Sequence, residues 1–337
     1  MKAPTIDIVN FCNFSCRHCL VEKSAPPLFM DRHLFSHLMD QIGRLGFRYA
    51  GITGSGEVSL HPQIEDILFS LAEHNIGFEM LTNGFLFKER LLPLLKDPMI
   101  RKRVCLIGFS LDSAREEVHD NNRKEGSFRR IIEAIGLCRL LGIPFYIKTA
   151  VTNINKHELR DILLFTSGLG AFSQSFLFLQ PTRRLLTEQL CPDPHELYRL
   201  FTELSSWHRI YPRLKLEAFN TSNDLFSCNA FFKFGVDEVG NYLICNNLSN
   251  VGTSKETYKG PECIGNIATE CLEDLIVRHL NLLPEILKWR FDRKDMIKNA
   301  PLSLCNWCFY QFNKLDWLKN DFPDSPWTRC LTSTFTD

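Results

Sequence analysis

Short apolar runs and amphipathic stretches alternate through the first half of the chain. The runs lie near Thr5–Phe11, Tyr49–Thr53, Phe78–Thr82, Val104–Leu111, Phe145–Val151 and Ser175–Leu179 and read as strands. Between them, Asp31–Leu45, Pro62–Glu73, Lys88–Leu95, Phe128–Leu141 and Lys156–Ser167 place apolar residues at three- and four-residue steps, the period of a helix with one buried face. A further helix, His195–Trp207, follows the last run. Strand-then-helix units in this order predict a parallel sheet with helical crossovers. Periodicity leaves open whether that sheet curls into a partial barrel or stays doubly wound. In both cases the site is expected at the carboxyl ends of the strands.

After about residue 215 the alternation gives way to short runs, glycines, asparagines and cysteines, so a boundary is expected near 212–218, dividing residues 1–215 from 216–337. Cys228–Cys245 reads as a β-hairpin with its turn at Glu238–Asn241 and a cysteine on each strand. The 337 residues, 45% hydrophobic, suffice for one barrel-sized domain and a smaller one. Charge balances to a formal net of zero, which gives no global reason to expect a nucleic-acid or membrane partner. No apolar run reaches the roughly 18 residues that span a bilayer. The start, MKAPTIDIVNFCNFSC, lacks the apolar core and cleavage site of a signal peptide, so a cytoplasmic protein is expected. Thirteen cysteines are many for that reducing compartment. Cys105 and Cys138 fit small buried residues; the clustered ones do not.

Cys12, Cys16 and Cys19 form a CxxxCxxC run directly after the first predicted strand, hence in a loop at its carboxyl end. Three thiolates can hold three irons of a four-iron cluster and leave the fourth iron open, as a catalytic metal requires. The alternative is a zinc knuckle. Zinc sites pair such cysteines with a second nearby Cys or His pair, and His18 and His33 are poorly spaced for that. The run, with His18 in the aromatic place before the last cysteine, resembles the hallmark of the radical S-adenosylmethionine (SAM) superfamily. That resemblance implies a [4Fe-4S] cluster whose open iron is chelated by SAM. One electron, from a donor such as flavodoxin or ferredoxin, then cleaves SAM to a 5′-deoxyadenosyl radical that removes hydrogen from an unactivated carbon.

Further stretches follow in the family's order. Gly51–Val58 resembles its GGEP motif, with Ser55 and Val58 departing from it, and implies that Gly56 and Glu57 meet the SAM amino group. On the residues alone, the glycines let backbone approach a ligand closely, and a tight turn with an exposed acid is the alternative. Leu81–Gly84 resembles TNG and points to Asn83. Ser110 and Asp112, two apart on a strand and so on one face, resemble the S-x-D that contacts the SAM ribose; a helix-capping Asp is the alternative. Glu116–Phe128 is similar to a stretch whose arginine is Arg123 here. Thr152–Asn155 is similar to "vtnxN", which implies that Asn153 helps to position the adenosyl group.

In the second half, Cys228-x11-Gly240-x4-Cys245 and later Cys305-x2-Cys308 supply four thiols, enough for zinc or for a fully ligated iron–sulfur cluster. The spacing resembles the SPASM/Twitch extension of radical SAM enzymes. Lys314 and Leu318 stand where the full SPASM form continues with cysteines, so one auxiliary cluster on Cys228, Cys245, Cys305 and Cys308 is implied. The fold class implied is α/β, a partial (β/α)6 TIM-like barrel with a smaller C-terminal α+β Twitch/SPASM-like domain. An auxiliary cluster can take an electron from a substrate radical, which favours net oxidation or crosslinking, and the resemblance implies a ribosomally made peptide, the commonest substrate class of SPASM/Twitch relatives. The alternatives are a dehydrogenase or epimerase of a small metabolite such as an aminosugar or cyclitol, and a non-enzymatic zinc-binding protein. The chain enters its first strand at once, without the leader-binding domain of many peptide-modifying relatives, which counts against a peptide. Cys191, in a loop, is a candidate hydrogen donor to a substrate radical. Arg183 and Arg184 are candidates to meet an anionic substrate, and Cys263, Cys271 and Cys330 have no assigned role.

Overall fold

The computed structural model describes residues 3–21, 26–217, 233–250, 262–294 and 303–335. Seven strands run parallel in chain order: β1 (Ala3–Asp7), β2 (Tyr49–Thr53), β3 (Gly77–Thr82), β4 (Val104–Ser110), β5 (Phe145–Val151), β6 (Gln174–Phe178) and β7 (Leu214–Glu217). β8 (Lys233–Val236) adds in parallel to the other edge of β1, and β9 (Asn241–Leu243) and β10 (Cys263–Asn266) follow antiparallel. The ten strands make one sheet in the order β10-β9-β8-β1-β2-β3-β4-β5-β6-β7. Its two ends do not meet, so the barrel is partial.

The six strands expected from the pattern are all present, and two boundaries differ for clear reasons. β1 stops at Asp7, because Val9 bridges to Phe29 and the Val9 and Phe11 carbonyls accept from the Gly56 and Glu57 amides instead of from a neighbouring strand. The stretch Lys88–Leu95 is not one helix. A π-turn over Phe87–Leu91 precedes a short helix over Leu92–Leu95. Pro93 has no N–H to continue the ladder, which confines it to that helix's first turn. β7 falls inside the expected boundary region and was not anticipated.

Strand alternation divides two environments. Outward-facing Ile6, Ile52, Phe78, Met80, Ile107, Phe109 and Ile147 are fully buried. They share one core with residues of α1 (Arg32–Arg44), α2 (Ile64–Glu73) and a later helix over Ser127–Leu140. Inward-facing Thr5, Thr53, Glu79, Lys148, Lys215 and Glu217 border a lumen of about 540 Å³. The hairpin turn uses Gly240 at φ +87°, a conformation glycine adopts without cost, while Asp237 accepts from the Val239 and Asn241 amides. Cys245 lies beyond the end of β9 and not on the strand. Cys228 lies outside the described residues. Among the described residues no helix is long and apolar enough to cross a membrane.

Phe109 meets Phe87 and Phe145 edge-on, with ring centroids 5.2 and 6.2 Å away. Phe109→Ala should cost about 3–5 kcal/mol of stability in urea unfolding. Leu140→Ala, at a position 80% exposed, should stay within about 0.5 kcal/mol. Equal effects would contradict the placement of the core.

Candidate active site

The cysteine loop is held where β1 leaves the sheet. The Gly56 amide donates to Val9 O at 2.9 Å and the Glu57 amide to Phe11 O at 2.8 Å. A Cβ at Gly54 would stand 2.6 Å from Val9 O, and one at Gly56 only 2.0 Å from Phe11 O. These glycines therefore allow a close approach to the chain entering the cysteine loop. Within the loop, the Cys19 amide donates to Cys16 O at 3.1 Å and the Phe14 amide to Cys12 Sγ at 3.4 Å.

Glu57 is buried, not exposed. Its carboxylate accepts from Thr82 Oγ1 (2.5 Å), the Ser59 amide (3.1 Å) and the Asn83 amide (2.7 Å), tying the exits of β2 and β3 together. Burial raises its pKa, partly offset by those donors. Asn83 in turn accepts from the Phe85 amide at 3.0 Å and donates to Asn13 Oδ1 at 2.9 Å, next to Cys12.

Asp112 is completely buried. Arg123, at the end of α3 (Glu116–Asn122), grips it with Nε at 2.6 Å from Oδ2 and Nη2 at 3.0 Å from Oδ1. Asn122 Nδ2 and the Ala150 amide also donate to it, at 2.9 and 3.1 Å. Burial pushes this carboxyl up, but Arg123 and then His18 outweigh that and hold it well below the usual carboxylate range. Arg123 Nη1 reaches to 4.0 Å from Cys16 Sγ. His18 Nδ1 stands 3.6 Å from Asp112 Oδ2, and burial pushes its imidazole pKa down.

These elements enclose a cavity of about 330 Å³ at the carboxyl ends of the strands. Cys12, Cys16, Cys19, His18, Gly56, Glu57, Asn83, Ser110 and Arg123 all border it. Three expected residues do not. Asp112 is spent on Arg123. Asn153 donates to the Gln189 and Cys191 carbonyls, at 2.7 and 3.2 Å. Cys191 is buried with its thiol pKa pushed up, beside a loop whose Pro192 carbonyl takes the Trp327 indole N–H at 3.1 Å. Lys148, Asn246 and Asn247 border the cavity and were missed. For Lys148 the signal was available, a charge in the middle of the apolar strand FYIKTAV. With Thr5, Thr53 and Leu81 they also border the lumen, so cavity and lumen are contiguous. Among the described residues, no three His, Cys, Asp or Glu side chains gather as ligands of one metal ion do.

The model of the radical SAM superfamily matches residues 6–166. The chain carries a radical SAM domain. It is 32% identical over 174 residues to the antilisterial bacteriocin subtilosin biosynthesis protein AlbA of Bacillus subtilis, covering 51% of this chain and 38% of that one. It is 27% identical over 176 residues to the AdoMet-dependent heme synthase of Methanosarcina barkeri, covering 51% of this chain and 49% of that one. The chain thus spans half or less of the length of these relatives. Streptococcus suis SuiB is similar in fold, with a TM-score of 0.65 bound to S-adenosylmethionine and 0.63 bound to its precursor peptide SuiA. Identity is 16% over 81% of this chain, and the match covers 65% and 64% of the SuiB chains.

Beyond the radical SAM domain, Cys245, Cys305 and Cys308 border one small cavity with Ile244, Leu248 and Arg290. Cys305 and Cys308 sit three apart on a helix over Leu304–Gln311, so they share a face. Its first turn is fixed by a capping box between Ser303 and Asn306. Lys314, where the full SPASM form carries a cysteine, is buried in an ion pair with Glu262. Cys263 is half-buried, Cys271 exposed and Cys330 buried.

Two outcomes follow for this site. Asp112→Asn leaves Arg123 buried without its countercharge and should cost about 3–5 kcal/mol in urea unfolding at pH 7. The wild-type contribution is present above the unfolded carboxyl pKa of about 4 and is lost as pH falls below it, because the folded pKa is the lower one. His119, buried with its pKa lowered to about 4, accepts from the Asp112 amide at 3.2 Å. Between the unfolded value of about 6.5 and the folded one, the unfolded chain binds the extra proton, so stability should fall as pH drops through that window. His119→Asn should flatten that slope; an unchanged slope would assign it to another group.

Proposed function

We propose that Cys12, Cys16 and Cys19 hold a [4Fe-4S] cluster, that SAM binds against it, and that the protein oxidises or crosslinks a ribosomally made peptide. The observation that carries this reading is the gathering of the thiols of Cys12, Cys16 and Cys19 with Gly56, Asn83, Ser110 and Arg123 around one cavity at the carboxyl end of the sheet. When bound, cluster and SAM supply a carbon-centred radical able to take hydrogen from an unactivated carbon. The chain's own residues prepare the ground. Arg123, immobilised by Asp112, sets positive charge toward Cys16 and favours its thiolate. Glu57 acts through its neighbours, fixing Thr82 and Asn83 at the cavity wall. Phe14, Leu20, Leu177 and Leu179 give that wall an apolar side that keeps water from a reactive intermediate.

The peptide reading is supported by AlbA, named for subtilosin biosynthesis, and by SuiB, which has been captured with a precursor peptide. AlbA and the heme synthase each match over about half of the chain, and such matches speak to the shared radical chemistry. Beyond it, a polar lumen bordered by Lys215 of β7 and Lys233 of β8 adjoins the cavity and offers room for a substrate. Cys245, Cys305 and Cys308, with Cys228, supply the ligands for one auxiliary [4Fe-4S] cluster. A reducing cytoplasm, with flavodoxin or ferredoxin as electron donor, is the setting in which cysteines stay available as cluster ligands.

Anaerobic reconstitution tests this. The wild type should bind about eight irons, and a variant with Ala at Cys12, Cys16 and Cys19 about four. SAM cleavage under dithionite should be lost in that variant. Zinc without iron would overturn the proposal, and about four irons all lost in the variant would remove the auxiliary cluster from it.

A further inference from the structure

Arg290 lies near the end of the helix over Leu272–Asp292 and is 1% exposed. Its Nη2 donates to Cys308 Sγ at 3.1 Å. A guanidinium stays protonated under all ordinary conditions, so a full positive charge is fixed at one of the auxiliary thiols. The remaining wall of that cavity is largely apolar, with Ile244, Leu248, Ile286, Leu304 and Phe309. Low polarizability there strengthens the interaction between the charge and the sulfur. The neighbouring Trp289 packs on Trp307, with centroids 3.9 Å apart, and Trp307 adjoins Cys308 in sequence. The helix that carries the arginine and the helix that carries the cysteines are thus locked together.

We propose that Arg290 is a positioning residue that raises the reduction potential of the auxiliary cluster. The inference rests on the reading that Cys245, Cys305 and Cys308 ligate that cluster. Taking up one electron adds one negative charge to the cluster, and a cation hydrogen-bonded to a ligand sulfur stabilises the reduced form more than the oxidised form. The cluster is thereby biased toward accepting an electron, the direction that a net oxidation needs. A structural role for Arg290 would alter stability or iron content and leave the potential where it was.

The test uses protein with Ala at Cys12, Cys16 and Cys19, so that only the auxiliary cluster contributes an electron paramagnetic resonance signal. Anaerobic potentiometric titration compares Arg290 with Arg290→Met and Arg290→Gln. Removing the charge should lower the one-electron reduction equilibrium constant about tenfold, a shift of ~59 mV to more negative potential. Both variants should move in that direction. An unmoved potential with iron retained overturns the proposal, and if Arg290→Met does not hold iron, Arg290→Gln decides on the same criterion. A background protein that itself holds no iron overturns the auxiliary cluster, and this inference with it. That pattern is distinct from a loaded cluster with an unshifted potential.

Discussion

The bidentate contact between Asp112 and Arg123 gathers the site. Asp112 leaves the end of β4, Arg123 and Asn122 close α3, the Ala150 amide belongs to β5, and His18 comes from the cysteine loop. The Arg17 amide also donates to Asn122 O at 3.0 Å, so the cysteine loop is tied to the end of α3 twice over. A buried ion pair contributes little net stability against well-packed apolar residues of the same volume, but a broken one is expensive. Its use here is therefore geometric. It fixes the orientation of a guanidinium that still has a donor to spare, and that donor points at Cys16.

Local spacing made part of this legible. Cys12, Cys16 and Cys19 lie within one loop, and a loop after a strand has one place to be in a β/α unit. Glu57, Asn83, Ser110 and Arg123 are named from resemblance to the family's motifs, and they stand at or beyond the ends of β2, β3 and β4. Spacing says which loop a residue occupies, but not whether a neighbour from elsewhere in the chain has already claimed its side chain. Asp112 and Asn153 illustrate this, the first gripped by Arg123 and the second donating through Nδ2 to the carbonyls of Gln189 and Cys191. The same holds for Gly54 and Gly56, whose partners are the carbonyls of Val9 and Phe11. Cys245 and the Cys305–Cys308 pair are far apart in sequence and meet only through the packing of a long helix. Their shared cavity was inferred from resemblance and was not readable from the residues alone.

The lumen explains why the strands do not all read as apolar runs. A parallel sheet covered on both faces is usually hydrophobic throughout, and a closed eight-stranded barrel fills its interior with branched side chains. This sheet buries one face under helices and leaves the other around water and charge. Lys148 pairs with Glu217 at 2.6 Å across β5 and β7, and Ser175 donates to the same carboxylate at 2.5 Å. Burial pushes the Glu217 carboxyl up, but Lys148 and Ser175 more than offset it and keep it ionised. Tyr146 lies against the backbone at Gly108, where a Cβ would stand 2.4 Å from the ring. Charge in the middle of a strand is thus a mark of the cavity side.

The pairing of β1 with β8 joins Ala3 to Lys233, so the first strand of the sheet lacks one neighbour until most of the chain exists. At ribosomal rates of about 5–20 residues per second, β1 waits on the order of 10–50 s with one edge open, a template for any other extended segment nearby. The cysteine loop hangs from the end of that same strand. Its thiols emerge early, before the hairpin that completes the sheet beside them, and the nascent chain has to be guarded against both stray strands and stray metal in that interval.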